Sequence, residues 1–291
     1  MPQIIKDYRH DPALREAFYR HTQRVFPGIN FRRWQEHGHW SEDYMPHSIL
    51  EGEQMIANAS VTRMKLWLEG NPIRGLQIGT VGTLPEFRNR GLARLLMEHV
   101  MDTCAAQAEL IFLFANDTVL DLYPKFGFRP VREVVFVATE NLPVPQYQAR
   151  KLDISREQDM ALVGNLISGR DDPTRLFGAG DFGFITWFYI LNGFDQRLYY
   201  LPQEDILFIL SEKEGLVHVW DAISPKPFEM DTVLAKVVPC ERLESVHYHF
   251  SPDRTGFSYD RVVAPEDSYL FVRGRFPLDG RLFKFPFTAQ T

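Results

Sequence analysis

The chain has 291 residues, 45% hydrophobic and 24% charged, with a formal net charge of −6. That composition is globular, with enough apolar sequence for one large domain or two of about 145 residues. There is no basic run to mark a nucleic-acid surface, the two cysteines, Cys104 and Cys240, make no disulfide framework, and neither a signal peptide nor a membrane span of roughly 18 apolar residues is evident, so a soluble cytoplasmic protein is expected.

Gln3 to Lys6 reads as a first strand. Asp11-Pro12 opens a helix, with Asp as cap and Pro in the first turn, and Pro27-Gly28 closes it. A second helix covers Phe31 to Glu36, and His37 to Pro46 reads as loop. Strands follow at His47 to Glu51 and Ile56 to Leu68. After the turn Glu69-Gly70-Asn71-Pro72 comes a longer strand, Ile73 to Leu84, interrupted by Gly79 and Gly82. A glycine inside a strand often marks a bulge or the close approach of a ligand or another backbone.

The turn Arg88-Asn89-Arg90-Gly91-Leu92-Ala93 then leads into a helix whose face is marked by Leu92, Leu95, Leu96, His99 and Val100. Gly91 admits φ > 0 and a close ligand. The first amides of such a helix lack intrahelical partners and lie at the positive end of its dipole, which suits phosphate. Leu110 to Ala115 is a short buried strand. Asn116-Asp117-Thr118 supplies helix caps, and a short helix carries Tyr123 and ends at Gly127. Pro124 distorts that helix. Val131 to Thr139 closes this half as one strand.

Asn141-Leu142-Pro143-Val144-Pro145 is a linker by composition. Beyond it, helices are predicted at Arg156 to Ser168, Phe184 to Leu191 and Asp231 to Val238. Strands are predicted at Leu198–Leu201, Ile206–Leu210, Leu216–Ala222, Val246–Phe250 and Ser268–Arg273. Phe283, Phe285 and Phe287 alternate as in a strand that buries one aromatic face, with an acceptor-pocket wall as the sharper reading.

Thr83-Leu84-Pro85 followed by Arg88-x-x-Gly91-x-Ala93, then Asn116, Tyr123 and Gly127-Phe128 at their spacing, resemble the GCN5-related N-acetyltransferases (GNAT). Two positions depart from the family pattern: Val119 stands where Ala is common, and Pro124 follows the Tyr. The resemblance implies an α/β fold with a mixed sheet over 1–140; after a linker over 141–150, the element order over 151–291 reads as a second, degenerate GNAT-like lobe, with an unrelated α/β domain of coincident order as the alternative. That lobe has no cofactor site, because its turn SPKPFEMD lacks glycine and loses two backbone donors to Pro225 and Pro227. A fragment 1–145 is then expected to keep the acetyl-CoA site.

By the same resemblance, acetyl-CoA is the co-substrate, held by Val81, Gly82, Thr83, Arg88, Asn89, Arg90, Gly91, Leu92, Ala93, Arg94 and Asn116. Its pyrophosphate would meet the amides of Asn89 to Arg94, and its pantetheine arm would run along the splayed strand end at Val81 to Thr83. A backbone N–H near Val81 would serve the oxyanion, and Tyr123 would act as general acid to the leaving thiolate. No base is evident. Gln77 occupies the strand where many members carry Glu, and Glu42, Asp43, Glu51 and His47 remain candidates. The pairs His37/His39 and His247/His249 have no matching ligands nearby, so no metal is expected.

The expected activity is acetyl transfer from acetyl-CoA to a primary amine on a small molecule or peptide, without nucleic-acid or membrane partners. The alternative is a non-catalytic acyl-CoA sensor or interaction module. Some two-lobed members of the family place their chain end in the acceptor cleft, so the resemblance offers the Thr291 carboxylate, after FKFPFTAQT, as a group pointing into the cleft between the lobes, against the alternative of a disordered or surface-packed end.

Overall fold

Two mixed sheets are each built on the same plan. The computed structural model describes residues 3–266 and 268–291. After β1 (Ile4–Lys6), helix α1 (Pro12–Val25) starts where the Asp11 carboxylate accepts from the amides of Ala13 and Leu14. Helix α2 (Phe31–Glu36) is capped by Asn30. Then come β2 (Tyr44–Glu51), β3 (Gln54–Leu68) and β4 (Asn71–Thr83), three antiparallel neighbours. Helix α3 (Leu92–Cys104) lays Leu96, Met97, Val100 and Cys104 against the sheet and crosses over to β5 (Leu110–Ala115), which runs parallel to β4. Such a crossover is what a parallel pair requires.

The chain continues through β6 (Arg129–Val131), β7 (Val135–Ala138), β8 (Arg150–Lys151), α4 (Glu157–Gly169), β9 (Phe177–Gly180) and α5 (Gly183–Tyr189). After β10 (Leu198–Leu201), β11 (Ile206–Lys213) and β12 (Leu216–Ile223), helix α6 (Met230–Val237) crosses to β13 (Ser245–Tyr248), parallel to β12. Then follow β14 (Arg261–Val263) and β15 (Tyr269–Gly274).

The first sheet runs β1-β2-β3-β4-β5-β15-β6, with β9 added on β3, and the second runs β14-β7-β13-β12-β11-β10-β8. Read from β8, the second sheet repeats the first strand for strand, including the helical crossover between its parallel pair. Each half also lends the other a strand. β7 sits between β13 and β14, and β15 sits between β5 and β6. The sheets therefore do not divide at 141–150. The single strand expected over 131–139 breaks at Arg132–Val134. There Glu133 turns inward and its buried carboxylate accepts from Lys284 Nζ (2.9 Å) and the Phe285 amide (2.8 Å). The strand expected at 268–273 forms, but in the first sheet.

A shared core reinforces the exchange. Phe18, Trp34 and Trp40 of the first half pack in one cluster with Val163, Trp187, Leu198 and Ile209 of the second. Phe283, Phe285 and Phe287 are not a strand. The backbone there bonds to side chains, Lys284 N donating to Ser251 Oγ and Phe285 N to Glu133. Phe283 and Phe285 pack on Phe177, while Phe287 packs on Trp220. No described helix is long and apolar enough to cross a membrane.

Candidate active site

β4 pairs with β5 from Gly75↔Leu110 to Ile78↔Leu113, and there the two strands part. Beyond that point Gly79 to Thr83 stays attached only to β3, across a register shift between Asn58 and Ser60. Within this bulge Thr80 has φ of 52°, a left-handed conformation that costs a β-branched residue free energy. A buried polar chain holds it. Asn58 Nδ2 donates to the Thr80 carbonyl (2.9 Å), Ser48 Oγ donates to Asn58 Oδ1 (2.8 Å), and Ser48 meets the Tyr8 hydroxyl (2.7 Å). The Tyr44 hydroxyl reaches Thr80 Oγ1 (2.9 Å). This chain was overlooked in the sequence, where its signal was three inward polar residues, Ser48, Asn58 and Ser60, in otherwise apolar strands.

The absent Cβ of each strand glycine makes room for packed protein. A Cβ on Gly82 would lie 2.4 Å from Val25 Cγ1, and one on Gly79 would lie 2.5 Å from the Thr291 carbonyl oxygen.

At the turn, Asn89 and Gly91 both take left-handed φ, 63° and 74°, and Gly91 caps α3. Among the described residues, no bond outside regular helix and strand pairing satisfies the amides of Asn89 to Arg94, and the first turn of α3 offers none inside the helix. A Cβ at Gly91 would meet no atom within 4 Å, so the space just beside the helix start is open. The arginines are partly engaged. Arg90 lies 3.8 Å from Glu51 and over the Phe87 ring, Arg94 Nε donates to Glu98 (2.8 Å), and Arg88 Nε donates to the Thr83 carbonyl (3.4 Å).

On the other side of the parting, Asn116 Oδ1 accepts from the amide (3.1 Å) and hydroxyl (2.6 Å) of Thr118. That leaves the Asn116 amide hydrogens for a ligand. The expected short helix resolves into two separate 3₁₀ turns, Asp117–Val119 and Tyr123–Phe126, with Pro124 in the second and Gly127 ending it at φ 80°. Tyr123 is buried against Phe128 and Phe271, and burial pushes its phenol up to about 12.

Between the parted strands and α5 lies a cleft of about 260 Å³. Val81, Asn116 and Tyr123 line it together, and so do Gln290 and Thr291. Arg88 to Gly91 and Arg94 are exposed, Leu92 and Ala93 half-buried, and none of them lines the cleft.

Residues 12–131 match the sequence model of the acetyltransferase (GNAT) domain. Residues 12–131 belong to the GNAT family. No curated protein sequence matches the chain. Solved structures share the fold over nearly its whole length. A probable N-acyltransferase from Enterococcus faecalis V583 is 13% identical with a TM-score of 0.58, over 94% of this chain and 72% of that one. A GCN5-related N-acetyltransferase from Kribbella flavida is 15% identical with a TM-score of 0.56, over 94% and 71%. Another from Anabaena variabilis is 12% identical with a TM-score of 0.56, over 93% and 72%. The GNAT fold therefore accounts for both sheets.

Within the GNAT domain, none of the base candidates lines the cleft. Glu42 lies 3.8 Å from Arg9, Asp43 accepts from Arg63 (3.1 Å), and Glu51 faces Arg90. His47 is buried beside Cys104, 3.9 Å away, its imidazole lowered to about 4 by burial and by His99. Gln77 is fully buried in β4, outside the cleft lining.

Thr291 does enter the cleft, on a strap held by two buried carboxylates. Glu133 binds Lys284 and the Phe285 amide, while Asp221 binds the Arg170 guanidinium through both oxygens (2.8 and 3.0 Å) and accepts from the Thr288 hydroxyl. The histidine pairs serve packing. His39 stacks on Trp187, His37 Nδ1 bonds the Arg33 carbonyl, and His249 meets His218 at 2.9 Å and stacks on Trp220. No cluster of three or more metal-ligating side chains occurs among the described residues.

Proposed function

We propose that the protein is a cytoplasmic N-acetyltransferase that moves an acetyl group from acetyl-CoA to a primary amine by direct attack. GNAT membership of residues 12–131 supports acyl transfer in general. One observation carries the finer reading: β4 and β5 part so that Val81, Asn116 and Tyr123 surround a single cleft.

The residues present fit this co-substrate. The open amides from Asn89 to Arg94 would hold its pyrophosphate, with Arg88 adding charge. The unpaired edge of β4 from Gly79 to Thr83 would take the pantetheine amides, and Asn116 would contact the arm from the opposite wall. The neutral amine attacks the thioester carbonyl. A backbone N–H near Val81 donates to the oxyanion, the C–S bond breaks as the Tyr123 hydroxyl gives its proton to the departing sulfur, and the proton lost by the new amide nitrogen returns through solvent to restore the phenol. Burial raises the Tyr123 phenol, and the same apolar surroundings disfavour a free thiolate.

Calorimetry with acetyl-CoA tests the donor. Wild type should bind, and Gly91→Glu, whose Cβ meets open space but whose left-handed φ costs about 1–2 kcal/mol, should stay folded at that cost and not bind. Unchanged affinity in that variant removes the turn from the site. A second reading, an acyl-CoA sensor without turnover, is favoured by the lack of any side-chain carboxylate or imidazole lining the cleft among the described residues. Release of free CoA with an amine panel separates the two.

A further inference from the structure

We infer that the acceptor is a primary amine carried on a flat aromatic body with no second positive charge. The inference rests on the acetyl-transfer reading and names the substrate class of that site. The wall of the cleft opposite the parted strands is aromatic. Phe31, Trp34 and Tyr44 come from the first half, and Phe184 and Phe188 come from α5. They touch one another, with ring centroids at 4.9 Å for Phe31–Phe188, 5.4 Å for Trp34–Tyr44 and 5.8 Å for Trp34–Phe188.

The polar tips of this wall are already engaged. Trp34 Nε1 donates to the Phe184 carbonyl at 2.6 Å, and the Tyr44 hydroxyl is paired with Thr80 Oγ1. What the wall offers a ligand is therefore ring surface, which favours an edge-on or offset aromatic partner.

Charge points the same way. Among the described residues lining the cleft there is no Asp, Glu, Lys, Arg or His side chain. Apart from the chain end at Thr291, which can meet one ammonium, no carboxylate among the described residues lines the cleft, so a second positive charge would be desolvated unpaired. For the reacting amine the same surroundings help, because removal from water favours the neutral form that attacks. The cleft thus lowers the amine's own proton affinity, and no side-chain base is needed. Size sets the last limit. A cavity of about 150 Å³ takes a benzene ring, so about 260 Å³, shared with the acetyl end of the donor, fits one ring or two fused rings on a short arm.

The test measures kcat/KM of the full chain with acetyl-CoA for 2-phenylethylamine, an indolyl ethylamine, 1,5-diaminopentane and spermidine, beside calorimetry of acetyl-CoA alone. The aromatic amines should exceed the diamine by about 10²-fold. Phe188→Glu should narrow that ratio at least about tenfold while acetyl-CoA affinity holds. Phe188→Ala, a milder change, should lower only the aromatic values. If acetyl-CoA does not bind wild type, the transfer reading falls and takes the inference with it. If acetyl-CoA binds but the diamines match or exceed the aromatic amines, or no aromatic amine is acetylated, the inference alone is overturned. A preference for octanoyl-CoA without discrimination among amines also overturns it, because the wall would then hold the acyl chain.

Discussion

On the proposed reading, Tyr123 and Thr80 are two residues whose state bears directly on the reaction. With burial raising it to about 12, the Tyr123 phenol keeps its proton through neutral and moderately alkaline solution. Tyr123→Phe should lower kcat by roughly 10²-fold, the usual cost of a lost general acid, with little change in acetyl-CoA affinity. In the wild type, kcat/KM should rise with pH as the amine loses its proton and should not fall again before about pH 10. A falling limb near pH 8 would assign the acid to another group. Thr80 is kept in its left-handed conformation by Asn58. Asn58→Ala leaves Ser48 Oγ and the Thr80 carbonyl short of a buried partner, at about 1–3 kcal/mol for each. A urea midpoint shifted by less than 1 kcal/mol equivalent would mean that the bulge does not depend on this chain.

Among the elements, the turn before α3 and the strap that follows β15 differ in how far the sequence revealed them. The first was legible. Arg88, Gly91 and Ala93 at their spacing, with Gly127 later, foretold the helix start and the left-handed glycines at 91 and 127. Local signals also placed α1 and α2, since Asp11 and Pro12 act within their own turn. The strap was legible only at its tip. Alternating Phe283, Phe285 and Phe287 read as a strand, yet that backbone is held by isolated bonds to the Glu133 and Ser251 side chains and to the backbone of Val134 and His249, all distant in sequence. No local pattern encodes such partners. β9, with its sequence FGAG, has no side-chain alternation to betray it. Gln290 and Thr291 line the cleft, so deletion of Ala289 to Thr291 should leave the fold intact and lower kcat at least about tenfold. Wild-type turnover across pH in that variant would remove the strap from the chemistry.

At the scale of the molecule, the exchanged strands bind the two halves into one cooperative unit. An apolar strand carries the same alternation whichever sheet it joins, which is why β7 and β15 could be predicted as strands but not assigned to their sheets. The exchange changes what a fragment should do. Residues 1–145 alone would leave β5 without β15 and β7 without a sheet, and an open apolar edge invites aggregation. Fragment 1–145 should therefore lack a cooperative transition and not bind acetyl-CoA, whereas co-expression with 146–291 should restore a soluble, acetyl-CoA-binding pair. Full affinity in the isolated fragment would show that the exchange is dispensable. The same pairing bears on synthesis at the ribosome. β5 waits for a partner more than 150 residues downstream, and at about 5–20 residues per second that partner emerges roughly 8–30 s later. The nascent first sheet spends that interval with a bare edge, so this chain cannot complete its lobes one after the other, and any holdase that shields it would have to act between β5 and β15.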